Sequence, residues 1–212
     1  MITGHHPYDV IGLQNLFRTL PGIDAYPQNL EDFVTDTGGS RELYDAIVFY
    51  NFHVPTPGID EYPLGGGRAR DVLELLGETA QGIMLMHHAI LAYPNWTIWQ
   101  KICGGIQIDP SVPVLQNQTV RVKNISPSHP ITRGLSSWEI TDETYPASEP
   151  DEDSEALLST DHPQSMSKLA WTRIYKKSRV FCYQSGHDVD TFKNKSFRII
   201  LGRGIQWVAG RL

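Results

Sequence analysis

Two short, unbroken apolar runs constrain the fold of this chain more than any other feature of its sequence. The first begins directly after Asp45 and ends at Tyr50, and the second extends from Gly82 to Met86. Apolar runs of this length without polar alternation are typical of strands that are covered on both faces, as in parallel sheets. Segments with helical spacing precede and follow the first run, at residues 10–20 and 68–80. This alternation predicts right-handed βαβ units.

The second half of the chain has a different pattern. Val120 and Val122 alternate with polar residues, which predicts a half-exposed strand over residues 118–123. Short strands are also expected at residues 1–4, 23–26, 156–160, 169–175 and 179–183, and a closing helix at 196–209. The predicted fold class is therefore α/β. We expect a single domain, residues 1–212, with a doubly wound, mainly parallel sheet, helices on both faces and additional antiparallel strands in the second half.

Composition limits the classes of partner and the location. The 212 residues carry a formal net charge of -6 without a long basic stripe, so nucleic acid is not an expected partner. No apolar run approaches the roughly 20 residues that span a bilayer, and no secretory leader is visible, so we expect a cytoplasmic protein without membrane contact. The two cysteines, Cys103 and Cys182, form no CxxC pair and are expected to be reduced core thiols. The sequence leaves a homo-oligomer open.

Histidines follow the predicted parallel strands at the point where each strand ends. Ligands of open α/β sheets bind beyond the carboxyl ends of the strands, so these side chains are expected to face one crevice. Six of the eight histidines belong to this set: His5, His6, His53, His87, His88 and His187. Asp142 and Glu143 follow a further apolar segment and could add carboxylates to the same crevice.

Imidazole and carboxylate groups supply either proton transfer or metal ligands near neutral pH. The chain has no HExxH, CxxC or GxGxxG motif, and Gly65-Gly66-Gly67 lacks the Gly-Lys-Ser/Thr ending of a phosphate-binding loop. A sharp turn after a buried strand is where some hydrolases place a nucleophilic serine or cysteine, but His87 stands there. Covalent catalysis through serine or cysteine is therefore not expected.

Three further segments have more than one interpretation. The acidic loop of residues 146–155 is predicted to be mobile and is a candidate lid. Gly104-Gly105 is a helix stop or a ligand cradle, and His129-Pro130 is a turn or part of a site.

The chain resembles the ThuA-like (trehalose utilisation) family, which is similar in fold to class I glutamine amidotransferases. The matching segments run in order along nearly the whole chain: Gly4–His6, Gly82–Ala89, Gly104-Gly105, Ser128–Thr132, Asp142–Tyr145, Arg179–Tyr183, Gly186–Asp188 and Gly204–Trp207. The resemblance implies a flavodoxin-like sheet. It also implies that His87 takes the place of the amidotransferase cysteine and His187 that of the catalytic histidine, so glutaminase activity is not expected.

The resemblance further implies a small-molecule sugar as ligand, a disaccharide or a 3-keto sugar. One hypothesis is a sugar-modifying hydrolase, lyase or isomerase in which His87, His187 and Glu143 act as acid/base groups or hold a divalent metal such as zinc. The residues expected to contact substrate are His6, His53, Asp142, Tyr145 and Asp188. The alternative is a non-catalytic sugar-binding or regulatory domain on the same fold, which the missing thiol favours.

Overall fold

Nine strands form one mixed sheet in the computed structural model, which describes residues 1–37, 39–58 and 69–212. The strands are β1 (Ile2–Gly4), β2 (Gln28–Asn29), β3 (Ala46–Asn51), β4 (Gly82–Met86), β5 (Leu115–Asn124), β6 (Trp138–Thr144), β7 (Glu155–Ser159), β8 (Lys168–Tyr175) and β9 (Ser178–Tyr183). Their order across the sheet is β2-β1-β3-β4-β9-β8-β7-β5-β6. Gly65-Gly66-Gly67 and Arg68 lie outside the described residues.

The parallel half of the sheet comprises β2, β1, β3, β4 and β9, as in flavodoxin-like folds. Its central strands alternate between two hydrophobic cores because successive side chains of a strand point to opposite faces. Ile83 and Leu85 of β4 pack in one core, whereas Met84 and Met86 pack in the other. The apolar runs of the sequence therefore become strands buried on both faces, as predicted.

Helices cover both faces of this sheet. They are α1 (Val10–Arg18), α2 (Leu30–Thr35), α3 (Ala69–Glu74), α4 (Thr97–Cys103), α5 (Val189–Lys193) and α6 (Lys195–Val208). The buried residues of α2, α3 and α4 belong to one core, and those of α1, α5 and α6 belong to the other. The predicted α/β fold class is thus confirmed.

The antiparallel half of the sheet comprises β8, β7, β5 and β6, and β8 joins it to β9. Three of the predicted strands of the second half are present within one residue of their expected bounds, and β5 begins three residues earlier than expected. Strand β6 was not predicted, because the polar residues Thr141, Asp142, Glu143 and Thr144 interrupt its apolar pattern. It pairs with β5 at the edge of the sheet and ends at the carboxylates that the sequence singled out.

Two local predictions of the first half are wrong. The strand expected at residues 23–26 forms instead at Gln28–Asn29, after Pro27. The helix expected to reach residue 80 ends at Glu74, because the chain turns through Gly77 in a left-handed conformation (φ 83°). As a result Leu73 is buried, whereas Leu75 is 64% exposed.

Residues 146–154 of the acidic segment form no helix or strand, as expected, but hydrogen bonds attach them to their surroundings. The Glu149 carboxylate accepts hydrogen bonds from the backbone amides of Ser167 and Lys168, and the Asp151 amide donates to the Gly104 carbonyl. These contacts do not favour a lid. Gly104 (φ 95°) ends α4 as a helix stop. No helix among the described residues is long and apolar enough to cross a membrane.

Candidate active site

The carboxyl ends of the parallel strands bring six histidines to one edge of the sheet, where their rings form two groups. His5 and His6 follow β1, His53 follows β3, His87 and His88 follow β4, and His187 follows β9. The centroids of contacting imidazole rings are 4.0 Å apart for His5–His53, 4.0 Å for His6–His88, 5.1 Å for His87–His88 and 5.4 Å for His87–His187. The sheet topology therefore produces the cluster, since these residues are distant in sequence.

His87 occupies a strained turn directly after β4. Its φ of 55° is uncommon for a residue with a Cβ atom and costs about 1–2 kcal/mol. The Nδ1 atom lies 2.8 Å from the Gln184 carbonyl oxygen, which can only accept, so Nδ1 carries a proton and donates it there. This bond leaves Nε2 as the atom that faces the rest of the site.

The hydroxyl group of Tyr145 lies beside the imidazole of His87. It is 2.9 Å from Nε2 and 3.1 Å from Nδ1. Because Nδ1 already donates to Gln184, the contact with Tyr145 is made by Nε2, whose proton faces both the phenol oxygen and the Glu143 carboxylate. Tyr145 is buried, and burial together with the negative charge of Glu143 raises the pKa of its phenol well above the usual value. The phenol therefore stays protonated and donates its hydrogen bond to the Glu143 carboxylate.

Glu143, near the end of β6, connects the two histidines predicted to be catalytic. Its Oε2 atom is 3.2 Å from Nε2 of His87 and 3.6 Å from Nδ1 of His187. Burial alone would raise the pKa of this carboxyl, but the hydrogen bond and charge of His87, with a contribution from His187, lower it from 4.5 to about 2. Glu143 is thus a carboxylate placed between two imidazoles.

Asp142 lies beneath this group and holds the backbone around it. Its two oxygens accept hydrogen bonds from the backbone amides of Glu143, Gly186 and His187, at 2.9, 3.1 and 3.1 Å. Asp142 is only 3% exposed, and burial raises its pKa. This geometry favours a positioning role for Asp142 over the predicted contact with substrate.

Gly186 is the backbone position that lets β9 approach the turn at His87. It has a φ of 137°, and a Cβ atom added there would lie 2.7 Å from Cε of Met86 and 3.3 Å from Cβ of His87. Only glycine fits both the conformation and the space. The close approach of these two chain segments sets the separation of His87 and His187.

The remaining predicted site residues lie at different distances from this centre. His6 is half-buried against His88, and burial followed by the charge of His87 lowers its pKa. Asp188 caps α5 by accepting from the amides of Asp190 and Thr191, which favours a structural role. His53 packs with His5 rather than with His87.

The sequence placed His88 in the predicted crevice without a catalytic or substrate-binding role, and it gave no indication of Glu31. His88 is 3% exposed, its Nε2 atom is 3.0 Å from the Tyr50 carbonyl oxygen, and its Nδ1 atom has no hydrogen bond within the described residues. Glu31, in α2, lies close to His5 and His53. The position of His88 directly after β4 was a usable signal, whereas nothing in the sequence around Glu31 indicated a site.

Two groups among the described residues have the donor atoms and spacing that a metal ion requires. One comprises His87, Glu143 and His187, and the other His5, Glu31 and His53; in each group the ligand atoms lie within 4.8 Å of one another. Two imidazole nitrogens and a carboxylate oxygen match the donors of catalytic zinc sites. The bond from His87 Nδ1 to Gln184 also matches the outer contact that orients metal-binding histidines.

The two cysteines lie apart from this chemistry. Cys103, in α4, and Cys182, in β9, are both fully buried, and burial raises the pKa of the Cys103 thiol to about 11. Burial also raises the pKa of the Cys182 thiol, so neither thiol is a thiolate near neutral pH.

The sequence matches the family model described as ThuA, trehalose utilisation, over residues 41–208. The chain belongs to the ThuA family. A ThuA-like protein from Parabacteroides merdae has a similar structure, with a TM-score of 0.74 and 19% identity over 98% of this chain and 88% of that one. No functionally curated protein matches the sequence.

Two further solved structures extend the similarity of this ThuA-family chain. A Salmonella typhimurium protein, described as cytoplasmic, has a TM-score of 0.67 at 14% identity and covers 98% of each chain. A glutamine amidotransferase from Thermotoga maritima has a TM-score of 0.55 at 8% identity, over 98% of this chain and 96% of its own. At these identities the similarities show the fold alone, which is the flavodoxin-like, amidotransferase-like fold expected for the ThuA family.

Proposed function

We propose that this protein is a cytoplasmic enzyme of carbohydrate metabolism that acts on a disaccharide or its 3-keto derivative. The observation that carries the proposal is the contact of two imidazole nitrogens, His87 Nε2 and His187 Nδ1, with one carboxylate oxygen of Glu143. The family name supports a sugar as the substrate class. The Salmonella protein described as cytoplasmic supports the location.

The arrangement supplies both groups that carbanion chemistry beside a ketone requires. A base must remove the proton from the carbon next to the carbonyl, and a donor or cation must stabilise the oxygen that becomes negative. Glu143, which is ionised at neutral pH, is the candidate base. The Tyr145 phenol, protonated because its pKa is raised, is the candidate donor, and His187 is placed to relay a proton toward solvent.

A divalent ion such as zinc, bound by His87, Glu143 and His187, would polarise a sugar carbonyl or hydroxyl oxygen. The side chain of His187 is 18% exposed, whereas those of His87 and Glu143 are 0% and 8% exposed. Substrate would therefore approach from the side of His187. His6, half-buried beside His88, would contact a hydroxyl group of the sugar.

The test is to incubate the protein with trehalose and with its 3-keto derivative and to analyse the products by carbon NMR. We expect the wild-type protein to convert the keto sugar and the variants His87→Ala and His187→Ala to lose that conversion. Saturable binding by calorimetry without any new product would replace the enzyme proposal with the sugar-binding alternative. Unchanged turnover in both variants would contradict the proposed site.

A further inference from the structure

We propose that His5, Glu31 and His53 form a second divalent-cation site, which is independent of the proposed reaction centre. His5 follows β1, His53 follows β3, and Glu31 belongs to the first turn of α2. Strands β1 and β3 are parallel neighbours, with Gly4 paired to Asn51, so both histidines leave the same edge of the sheet. The start of α2 places the carboxylate between them.

The distances are close to those of a bound ion. Oε1 of Glu31 lies 3.9 Å from Nε2 of His5 and 3.8 Å from Nε2 of His53. With bonds of about 2 Å, ligand atoms on one tetrahedral zinc ion are roughly 3.3 Å apart. The side chains of His5 and Glu31 are 58% and 57% exposed, so both can move the remaining few tenths of an ångström without repacking the core.

His53 is the fixed ligand of this group. Its ring stacks on Tyr93, with centroids 5.7 Å apart, and its Nδ1 atom lies 2.9 Å from the buried amide of Asn51. Gly4 makes room for the ring, because a Cβ atom there would lie 3.1 Å from Cε1 of His53. These contacts orient Nε2 toward Glu31.

The side-chain amide of Asn51 also determines which ring nitrogen of His53 carries the proton. In the structure the amide nitrogen of Asn51 faces Nδ1 of His53, and the amide oxygen has no hydrogen bond within the described residues. Rotation of the amide by 180° would let this oxygen accept from Nδ1 and would leave the lone pair on Nε2, which is the tautomer that binds a metal. An outer partner of this kind is the usual support of a metal-binding histidine.

The two imidazole rings of this group lie against each other. The ring centroids of His5 and His53 are 4.0 Å apart and the ring planes are tilted by 32°, so one ion beside Glu31 is within reach of both rings. The left-handed backbone of His5 (φ 55°) turns its ring to His53, while the next residue, His6, stacks on His88. Adjacent histidines therefore serve two different groups.

The test counts zinc bound by the purified, metal-stripped protein after equilibrium dialysis against Zn²⁺, with detection by mass spectrometry. We expect Glu31→Gln to lose about one zinc ion per chain relative to the wild type. Glu42→Gln is the matched control, because it removes the same charge from an exposed residue at the opposite ends of the strands. His5→Gln, a second exposed substitution, should reproduce the loss, and circular dichroism checks the fold of each variant.

Glu143→Gln separates this proposal from the proposed function. The second site is supported if Glu31→Gln and His5→Gln each lose zinc both in the wild-type protein and in the Glu143→Gln variant. If both variants bind as much zinc as Glu42→Gln, the second site is ruled out. Loss of zinc only in Glu143→Gln would likewise contradict the second site while leaving the reaction centre as a metal site.

Discussion

Nε2 of His87 lies 3.2 Å from Oε2 of Glu143, although 56 residues separate them along the chain. Each residue stands at or beside the end of a strand, and β9 with its following turn brings the two strand ends together. Gln184 contacts both, through its carbonyl oxygen to His87 Nδ1 and its side-chain amide to the Glu143 carbonyl. Gln184 therefore positions both His87 and Glu143.

Tyr145→Phe tests whether the phenol is a donor within the centre. The aromatic ring is kept, so the free energy of unfolding should fall by only about 1 kcal/mol, the usual value of one hydrogen bond. Turnover of the keto sugar should fall about 10-fold, which corresponds to about 1.4 kcal/mol in the barrier. Urea unfolding and steady-state kinetics measure the two effects. Tyr26→Phe, which removes a hydroxyl from an exposed ring, should change neither, and full activity in Tyr145→Phe would argue against a donor role.

Gly186→Ala tests the close approach of β9 to the turn at His87. The added methyl group meets Met86 and His87 in a backbone conformation that disfavours any Cβ atom, so we expect a loss of about 2–4 kcal/mol in unfolding free energy. Gly210→Ala is the control, because Gly210 also has positive φ (70°) but nothing within 4 Å of the added atom. It should cost about 1–2 kcal/mol. Equal losses for the two variants in urea unfolding would contradict a packing role for Gly186.

His88 should make the protein sensitive to acid. Burial, followed by the positive charges of His87 and His6, lowers the pKa of His88 from 6.5 to about 2. Since the unfolded chain binds this proton and the folded chain does not, stability is complete above pH 6.5 and falls as the pH drops toward 2. Between pH 7 and pH 5 this residue alone should cost about 2 kcal/mol.

His88→Gln removes the titrating group and keeps a side-chain donor for the Tyr50 carbonyl. We expect its unfolding free energy, measured in urea at pH 5, 6 and 7, to change less with pH than that of the wild type. His162→Gln, at the start of the turn after β7, is a control that should retain the wild-type slope. Identical slopes for His88→Gln and wild type would mean that His88 is protonated in the folded protein.

The sequence predicted the parts of the fold in which burial alone dictates residue type. Strands β3 and β4 are buried on both faces and therefore read as unbroken apolar runs, and the inward residues of α6 follow helical spacing. Strand β6 escaped prediction because its end carries the buried polar residues Asp142, Glu143 and Thr144. The polar residues that interrupt the apolar pattern of β6 are therefore the same residues that contribute to the candidate site.

The sequence predicted which histidines lie at the site, but not how they are divided between two clusters. The position of histidines after successive strands pointed to a common edge, and His87, His187 and Glu143 do converge there. No pattern in the sequence could divide these histidines between two clusters, because His5 and His6 are adjacent yet stack on different rings. Glu31 joins His5 and His53 only through the position of α2 in the tertiary structure.

Hydrogen exchange tests the central claim most directly, because it does not depend on which product the enzyme forms. The 3-keto derivative of trehalose is incubated in deuterated water, and proton NMR follows the hydrogens on the carbons beside the ketone. We expect wild-type protein and Glu139→Gln, an exposed substitution on β6, to accelerate the loss of these signals over buffer, and Glu143→Gln to be slower by about 100-fold or more. Exchange at the wild-type rate in Glu143→Gln, or no acceleration by the wild type, would contradict a reaction centre at His87, Glu143 and His187.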